Sequence, residues 1–93
     1  MQTKKEVEIV VSTLAVQIRA ALGDKLNSVI LYGSYARNDF EDGSDVDVMV
    51  LVDVPQDQIT EYRSVITDIT FELGWVHNLL ISPVIRNTKY RSI

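Results

Sequence analysis

The chain has 93 residues, a length that fits one small domain and not two. Its apolar content of 46% and charged content of 24% are ordinary for a globular domain, and its net charge of −4 argues against a protein that coats nucleic acid. The absence of cysteine excludes a disulfide framework and a thiolate zinc site. No apolar run approaches the ~20 residues that cross a membrane, and no signal-peptide core is evident, so a cytoplasmic location is expected.

The chain is predicted to begin with an amphipathic helix over residues 4–22. Thr3 and Glu6 have the spacing of a capping box, and Gly23 is a suitable residue to end the helix. Between them, apolar residues recur at helical intervals and give the helix one apolar face: Val7, Val10, Val11, Leu14, Ile18, Ala21 and Leu22.

Two short strands enclosing a polar turn are predicted next, over residues 28–32 and 45–52. Both runs are β-branched or aliphatic and are bounded by Gly, Asn, Asp and Ser, as strands commonly are. Gly33 allows a sharp exit from the first strand. A helical turn over residues 34–37 and a polar loop over 38–44 should then lead into the second strand.

A second long helix and a third strand complete the predicted order. Pro55 suits the first turn of the helix, and Gly74 is expected to end it. The third strand is predicted over residues 76–85, where Pro83 favours a sheet edge or a bulge. Residues 86–93 should form a polar tail. The second long helix is predicted from a stripe of apolar residues at helical spacing: Ile59, Tyr62, Ile66, Ile69 and Leu73.

This order predicts an α/β (α+β) fold with a small mixed sheet and helices on one face. The first two strands should be antiparallel neighbours, and the second and third, joined by a long helix, should be parallel. The strands are apolar at nearly every position, as in sheets covered on both faces. We therefore expect the face without helices to be covered by a partner, a second copy or the C-terminal tail.

Asp45 and Asp47 are the strongest functional candidates. In a strand they project from one face about two residue rises apart, where two carboxylates repel each other. A bound divalent cation would explain the pair. The alternative is a solvated acidic loop, but Asp is disfavoured in strands, which favours the cation. Gly33 and Ser34 are candidates for phosphate binding, with an ordinary strand-ending turn as their alternative.

Gly33-Ser34, ten further residues, and then Asp45-Val46-Asp47 resemble the signature of the polymerase-beta-like nucleotidyltransferase superfamily. The small size is similar to that of the minimal nucleotidyltransferases, which are often encoded beside a HEPN-domain protein. The resemblance implies a palm-like fold and Mg²⁺-dependent transfer of a nucleoside monophosphate from an NTP, ATP foremost, to an acceptor hydroxyl. It also implies an antitoxin-like role toward a HEPN toxin. The alternative partner is a second copy of the chain in a homo-oligomer.

The resemblance also assigns roles to individual residues. Asp45 and Asp47 would be catalytic and would hold one or two Mg²⁺ ions that bridge phosphate oxygens. Gly33 would let the backbone approach the triphosphate. Ser34 would bind the triphosphate through its hydroxyl and the neighbouring amides, as a member of the catalytic set.

Arg37 and Tyr35 have weaker assignments. Arg37 could contact phosphate, but a salt bridge to Asp39 or Asp42 explains it equally well. Tyr35, beside the turn, could contact a base, with a place in the core or at its rim as the alternative. Where the family often has glycine, this chain has Asn38.

One departure from the family pattern separates two functional hypotheses. The third carboxylate of active members comes from the later strand, where Ser82 aligns with it, and a hydroxyl is a poor substitute for an anionic ligand or general base. Glu72, His77 and Asn78 are no clear replacements. The chain is therefore either an active nucleotidyltransferase or a catalytically weakened nucleotide-binding or partner-binding module of the same fold.

Overall fold

The computed structural model of the protein describes residues 3–41 and 44–88. Within these ranges the chain has three α-helices and three strands, which confirms the predicted α+β class, and no helix there is long and apolar enough to cross a membrane. Short 3₁₀ turns precede the first strand and the last helix. The elements in chain order are α1 Lys4–Leu22, β1 Leu26–Tyr32, α2 Ser34–Arg37, β2 Val46–Val52, α3 Ile59–His77 and β3 Ile81–Asn87.

Helix α1 has the predicted bounds and the predicted N-cap. The Thr3 hydroxyl accepts a hydrogen bond from the Glu6 amide at 3.1 Å and donates one to Glu6 Oε1, also at 3.1 Å. Gly23 follows the helix with φ 62°, in the left-handed region that glycine tolerates best. The capping residues therefore set both ends of this helix.

The three strands form one mixed sheet in the order β1-β2-β3. Strands β1 and β2 are antiparallel, and β2 and β3 are parallel, as predicted. Strand β3 lies at an edge of the sheet, and Pro83 belongs to it. The expectation that Pro83 marks an edge strand is therefore confirmed.

The strand boundaries differ from the predicted ones in four places, of which the start of β3 is described with the end of α3 below. Strand β1 begins at Leu26, two residues early, because an irregularity in pairing between Leu26 and Ser28 lets the ladder continue past Asn27. Strand β2 begins at Val46, immediately after Asp45. Strand β3 runs to Asn87, so the start of the predicted polar tail is strand, and residues 89–93 of that tail lie outside the described residues.

The hydrophobic core lies between the two long helices and one face of the sheet. Alternate residues of β2 join one buried cluster with the apolar faces of α1 and α3, which confirms helices on one face. On the opposite face Met49 is half-buried and Leu51 is buried. That a partner, a second copy or the C-terminal tail covers this opposite face stays a prediction. The β2 residues in the core are Val46, Val48, Val50 and Val52.

The end of α3 corrects two predictions. The helix runs to His77, so Gly74 lies inside it, and the third strand begins at Ile81 rather than at residue 76. A Cβ on Gly74 would stand 2.5 Å from the Leu79 carbonyl oxygen. The Leu79 amide donates back to the Gly74 carbonyl at 2.8 Å, and Asn78 has φ 55°, as in a Schellman-type helix end. Gly74 thus makes room for the reversing chain.

Candidate active site

The candidate residues gather at one end of the sheet. Strand β1 ends where β2 begins, and Tyr32 pairs with Asp47 in the antiparallel register. Gly33 directly follows Tyr32, and Asp45 directly precedes β2. The topology therefore brings the glycine turn and both aspartates together, although up to fourteen positions of sequence separate them.

Gly33 and Asp47 lie in direct contact. A Cβ added to Gly33 would overlap Asp47 Oδ2 and stand 3.1 Å from Asp47 Cγ. Gly33 also has φ 79° and ψ −152°, a conformation open essentially to glycine alone. Both the backbone and the space around it therefore require glycine, and the Asp47 carboxylate rests against the turn that leads into Ser34.

Ser34 begins the short helix α2. The Arg37 amide donates to the Gly33 carbonyl at 3.1 Å and closes the turn, while the first amides of a helix have no acceptor within the helix. Asn38 ends α2 with φ 64°, in the left-handed region where glycine and asparagine are favoured. Asn38 can therefore take the place of the family's glycine without disturbing the backbone.

Arg37 forms one of the two contacts considered for it. Its Nε lies 3.2 Å from Asp39 Oδ2, and both side chains are exposed. An exposed pair contributes about 0–1 kcal/mol, so phosphate could replace this partner at little cost. The phosphate role of Arg37 stays a prediction, and Asp42, the other carboxylate considered, lies outside the described residues.

Tyr35 is a core residue, so the structure supports the second of its two interpretations and not the contact with a nucleotide base. Only 3% of Tyr35 is exposed. Its ring stacks on Phe40, with centroids 4.2 Å apart and planes 15° apart. The stack packs the start of the polar loop against the core, and with so little of Tyr35 exposed the ring has no free face for a base.

Asp47 has a hydroxyl-bearing neighbour on each adjacent strand. Tyr32 pairs with it on β1, and Ser82 pairs with it on β3, so all three side chains share one face of the sheet. Neighbouring strands are about 4.8 Å apart, which places Ser82 beside Asp47 as the alignment with a third carboxylate requires. The sequence did not indicate Tyr32 for the site, because its pairing with Asp47 depends on the register of the two strands.

The described residues contain no cluster of three or more His, Cys, Asp or Glu side chains that could hold a metal ion. Glu72 and His77 therefore do not complete a triad with the two aspartates. Mg²⁺ in nucleotide sites is commonly held by one or two carboxylates together with substrate phosphates, so a two-carboxylate site fits a nucleotide-bound ion. An all-protein metal cage is not what these residues offer.

Residues 15–91 match the family model of the nucleotidyltransferase domain. The match spans most of the chain, and the protein belongs to this family of transferases. Its fold and size agree with a minimal nucleotidyltransferase, as the sequence motif predicts.

Three relatives from Methanocaldococcus jannaschii carry related names. "Putative protein adenylyltransferase MJ0141" is 44% identical over 69 residues, which are 73% of this chain and 67% of the relative. "Putative protein adenylyltransferase MJ1305" is 39% identical over 64 residues, 68% of this chain and 43% of the relative. "Putative protein adenylyltransferase MJ0604" is 28% identical over 81 residues, 87% and 74% of the two chains. No solved structure matches the chain at a significant level.

Proposed function

We propose that the protein transfers AMP from ATP, with Mg²⁺, to a hydroxyl group on an acceptor protein. Family membership supports nucleotidyl transfer, and the names of the relatives point to adenylyl transfer onto protein. The observation that carries the proposal is the contact between Gly33 and the Asp47 carboxylate. In this contact, a backbone turn that would approach phosphate lies beside a carboxylate that would bind a cation, as nucleotidyl transfer requires.

Each residue of the turn has a task in this proposal. Asp45 and Asp47 would hold one or two Mg²⁺ ions together with the triphosphate oxygens, and the ions would neutralise charge on the leaving group. The Ser34 hydroxyl and the first amides of α2 would bind phosphate oxygens. Gly33 has no side chain, so the backbone can approach the triphosphate closely. Arg37 would exchange Asp39 for a phosphate oxygen.

The proposed transfer needs only ATP, the acceptor hydroxyl group and water as the proton acceptor. The acceptor oxygen attacks the α-phosphorus of ATP and forms a new P–O bond. The bond from the α-phosphorus to the bridging oxygen breaks, and pyrophosphate leaves with the bonding electron pair. The hydroxyl proton passes to water, because Ser82, next to Asp47, offers no carboxylate to accept it.

A HEPN-domain protein is the first acceptor to test, since the resemblance implies an antitoxin-like role.

The two aspartates provide the decisive test. Wild-type protein should gain thermal stability from ATP only when Mg²⁺ is present, and Asp45→Asn combined with Asp47→Asn should abolish that gain. Transfer from [α-³²P]ATP should fall at least about hundredfold, as it does when charge-stabilising groups are removed from active sites. Asp53→Asn is the matched control, because Asp53 is an exposed aspartate directly after β2 at the far end of the strand. An unchanged Mg²⁺-dependent gain in the double variant would refute the site.

Ser82 supports a second candidate function, a nucleotide-binding module with little transfer activity. The hydroxyl stands beside Asp47 where active relatives of the superfamily place an acid. If the missing acid limits the reaction, Ser82→Asp should raise the transfer rate, whereas Ser28→Asp on the same face of the sheet should not. Wild-type transfer that Ser82→Asp leaves unchanged would instead support the enzyme as it stands.

A further inference from the structure

Four large apolar side chains at one corner of the molecule are exposed. They lie in the last two turns of α3 and in the reversal that follows. We call them the aromatic patch: Phe71, Trp75, Val76 and Leu80, which are 73%, 81%, 68% and 64% exposed. Exposed clusters of large apolar residues on a small protein usually mark a binding surface.

The fold does not require this patch. Successive helix residues rotate by about 100°, so Phe71 and Trp75, each two positions from Leu73, point away from the side on which Leu73 is buried. Neither ring is in the buried core. Phe71 and Trp75 are also four positions apart and therefore neighbours on the helix surface, where aromatic pairs commonly anchor a partner protein.

The patch borders the candidate active site. Helix α3 ends at the end of the sheet where β2 and β3 begin. The Leu80 carbonyl accepts a hydrogen bond from the Val46 amide at 2.8 Å, and Val46 lies between the two aspartates in the chain. A protein seated on the patch would thus have part of its surface next to Asp45 and Asp47.

We infer that the aromatic patch is the surface on which the acceptor protein docks, an inference that rests on the proposed adenylyl transfer. The acceptor should present an apolar surface with lysine or arginine at its border. Asp68 and Glu72, both exposed, lie on the same stretch of α3. With a net charge of −4, the protein as a whole favours a basic partner over nucleic acid. A second copy of the chain would bring these same carboxylates toward each other.

Two single substitutions test the patch. Trp75→Ser and Leu80→Ser remove exposed apolar groups and should leave the fold intact. Val16→Ser is the matched control, because Val16 is 69% exposed on α1, away from the patch in sequence. Each variant is incubated with [α-³²P]ATP, Mg²⁺ and the soluble proteins of the native cell. Labelling of acceptor protein should fall about tenfold or more with the patch variants and stay unchanged with the control.

The nucleotide site is measured separately in the same variants. All of them should keep the Mg²⁺-dependent stabilisation by ATP, because none touches Asp45, Asp47 or the Gly33 turn. If the wild type lacks that stabilisation, the proposed function fails. If the wild type is stabilised but labels no protein, the proposed transfer to protein fails together with the docking inference, and only the nucleotide site stands. If the wild type labels protein and the patch variants label it equally well, the docking inference alone is wrong.

Trp75 also reports on its own environment, because it is the only tryptophan in the chain. Alone and at any concentration, the protein should show the emission of a solvent-exposed indole. A shift of the emission to shorter wavelength with rising protein concentration, accompanied by a doubled mass, would identify a second copy as the occupant and overturn the inference.

Discussion

At the scale of single residues, the site depends on the absence of a side chain. Gly33 has a backbone conformation that other residues avoid, and its Cα lies against the Asp47 carboxylate. The two requirements can be separated, because Gly23 has a similar positive φ of 62° but nothing within 4 Å of an added Cβ.

We therefore predict different outcomes for alanine at the two glycines. Both variants should lose about 1–3 kcal/mol of stability to backbone strain, measured as the free energy of unfolding in urea. Only Gly33→Ala should also displace Asp47 and abolish stabilisation by ATP with Mg²⁺. A Gly33→Ala protein that binds the nucleotide as Gly23→Ala does would show that the contact with Asp47 has no functional part.

At the scale of elements, the chain reversal after α3 positions β3 beside the candidate site. Gly74 lies inside the helix, and the chain returns past it through Asn78 and Leu79. The reversal delivers Leu80 to the start of β2 and Ser82 to the side of Asp47. The close packing at Gly74 thus fixes the position of β3 relative to the aspartates.

Gly74→Ala should lower stability, although alanine in a helix normally stabilises it by about 1 kcal/mol relative to glycine. The added methyl group would stand 2.5 Å from the Leu79 carbonyl oxygen and force the reversal outward. Ser64→Ala, at an exposed position of the same helix, should raise stability slightly. Urea denaturation of both variants measures the two signs, and a more stable Gly74→Ala protein would contradict the tight reversal.

The sequence predicted those elements whose signals are local. Thr3 and Gly23 define the two ends of α1 through their own hydrogen bonds and backbone angles. Gly33 likewise marks the end of β1 through its own backbone angles. The role of Gly74 could not be predicted from its neighbours in sequence, because glycine is required there by the carbonyl group of a residue five positions later. The choice between the core and a base contact for Tyr35 could not be made from the sequence, because its stacking partner, Phe40, lies in a loop without periodicity.

At the scale of the whole molecule, charge restricts the ligands that the protein can take. The net charge of −4 repels polyanions, and the candidate site adds two carboxylates near the expected position of the phosphates. Phosphates can bind there only when divalent ions offset the repulsion. A long single strand of nucleic acid brings more phosphates than the site could neutralise.

The protein should therefore fail to bind a fluorescently labelled single-stranded oligonucleotide at an ionic strength of about 0.15 M, with or without Mg²⁺. Fluorescence anisotropy measures this directly, and stabilisation by ATP with Mg²⁺ in the same buffer is the positive control. Micromolar binding of the oligonucleotide would mean that a local basic surface outweighs the overall charge, and it would favour a nucleic-acid acceptor over a protein.

All the side chains proposed to handle the nucleotide come from the fifteen consecutive residues 33–47, whereas the exposed aromatic groups come from residues 71–80. In the two proposals, one reaction partner is therefore bound by residues 33–47 and the other by the C-terminal end of α3, which lies far along the sequence. Mutations in residues 71–80 could therefore change which acceptor protein is bound without altering how ATP is bound. Exchanging only that helix terminus between homologues is therefore a direct route to retargeting.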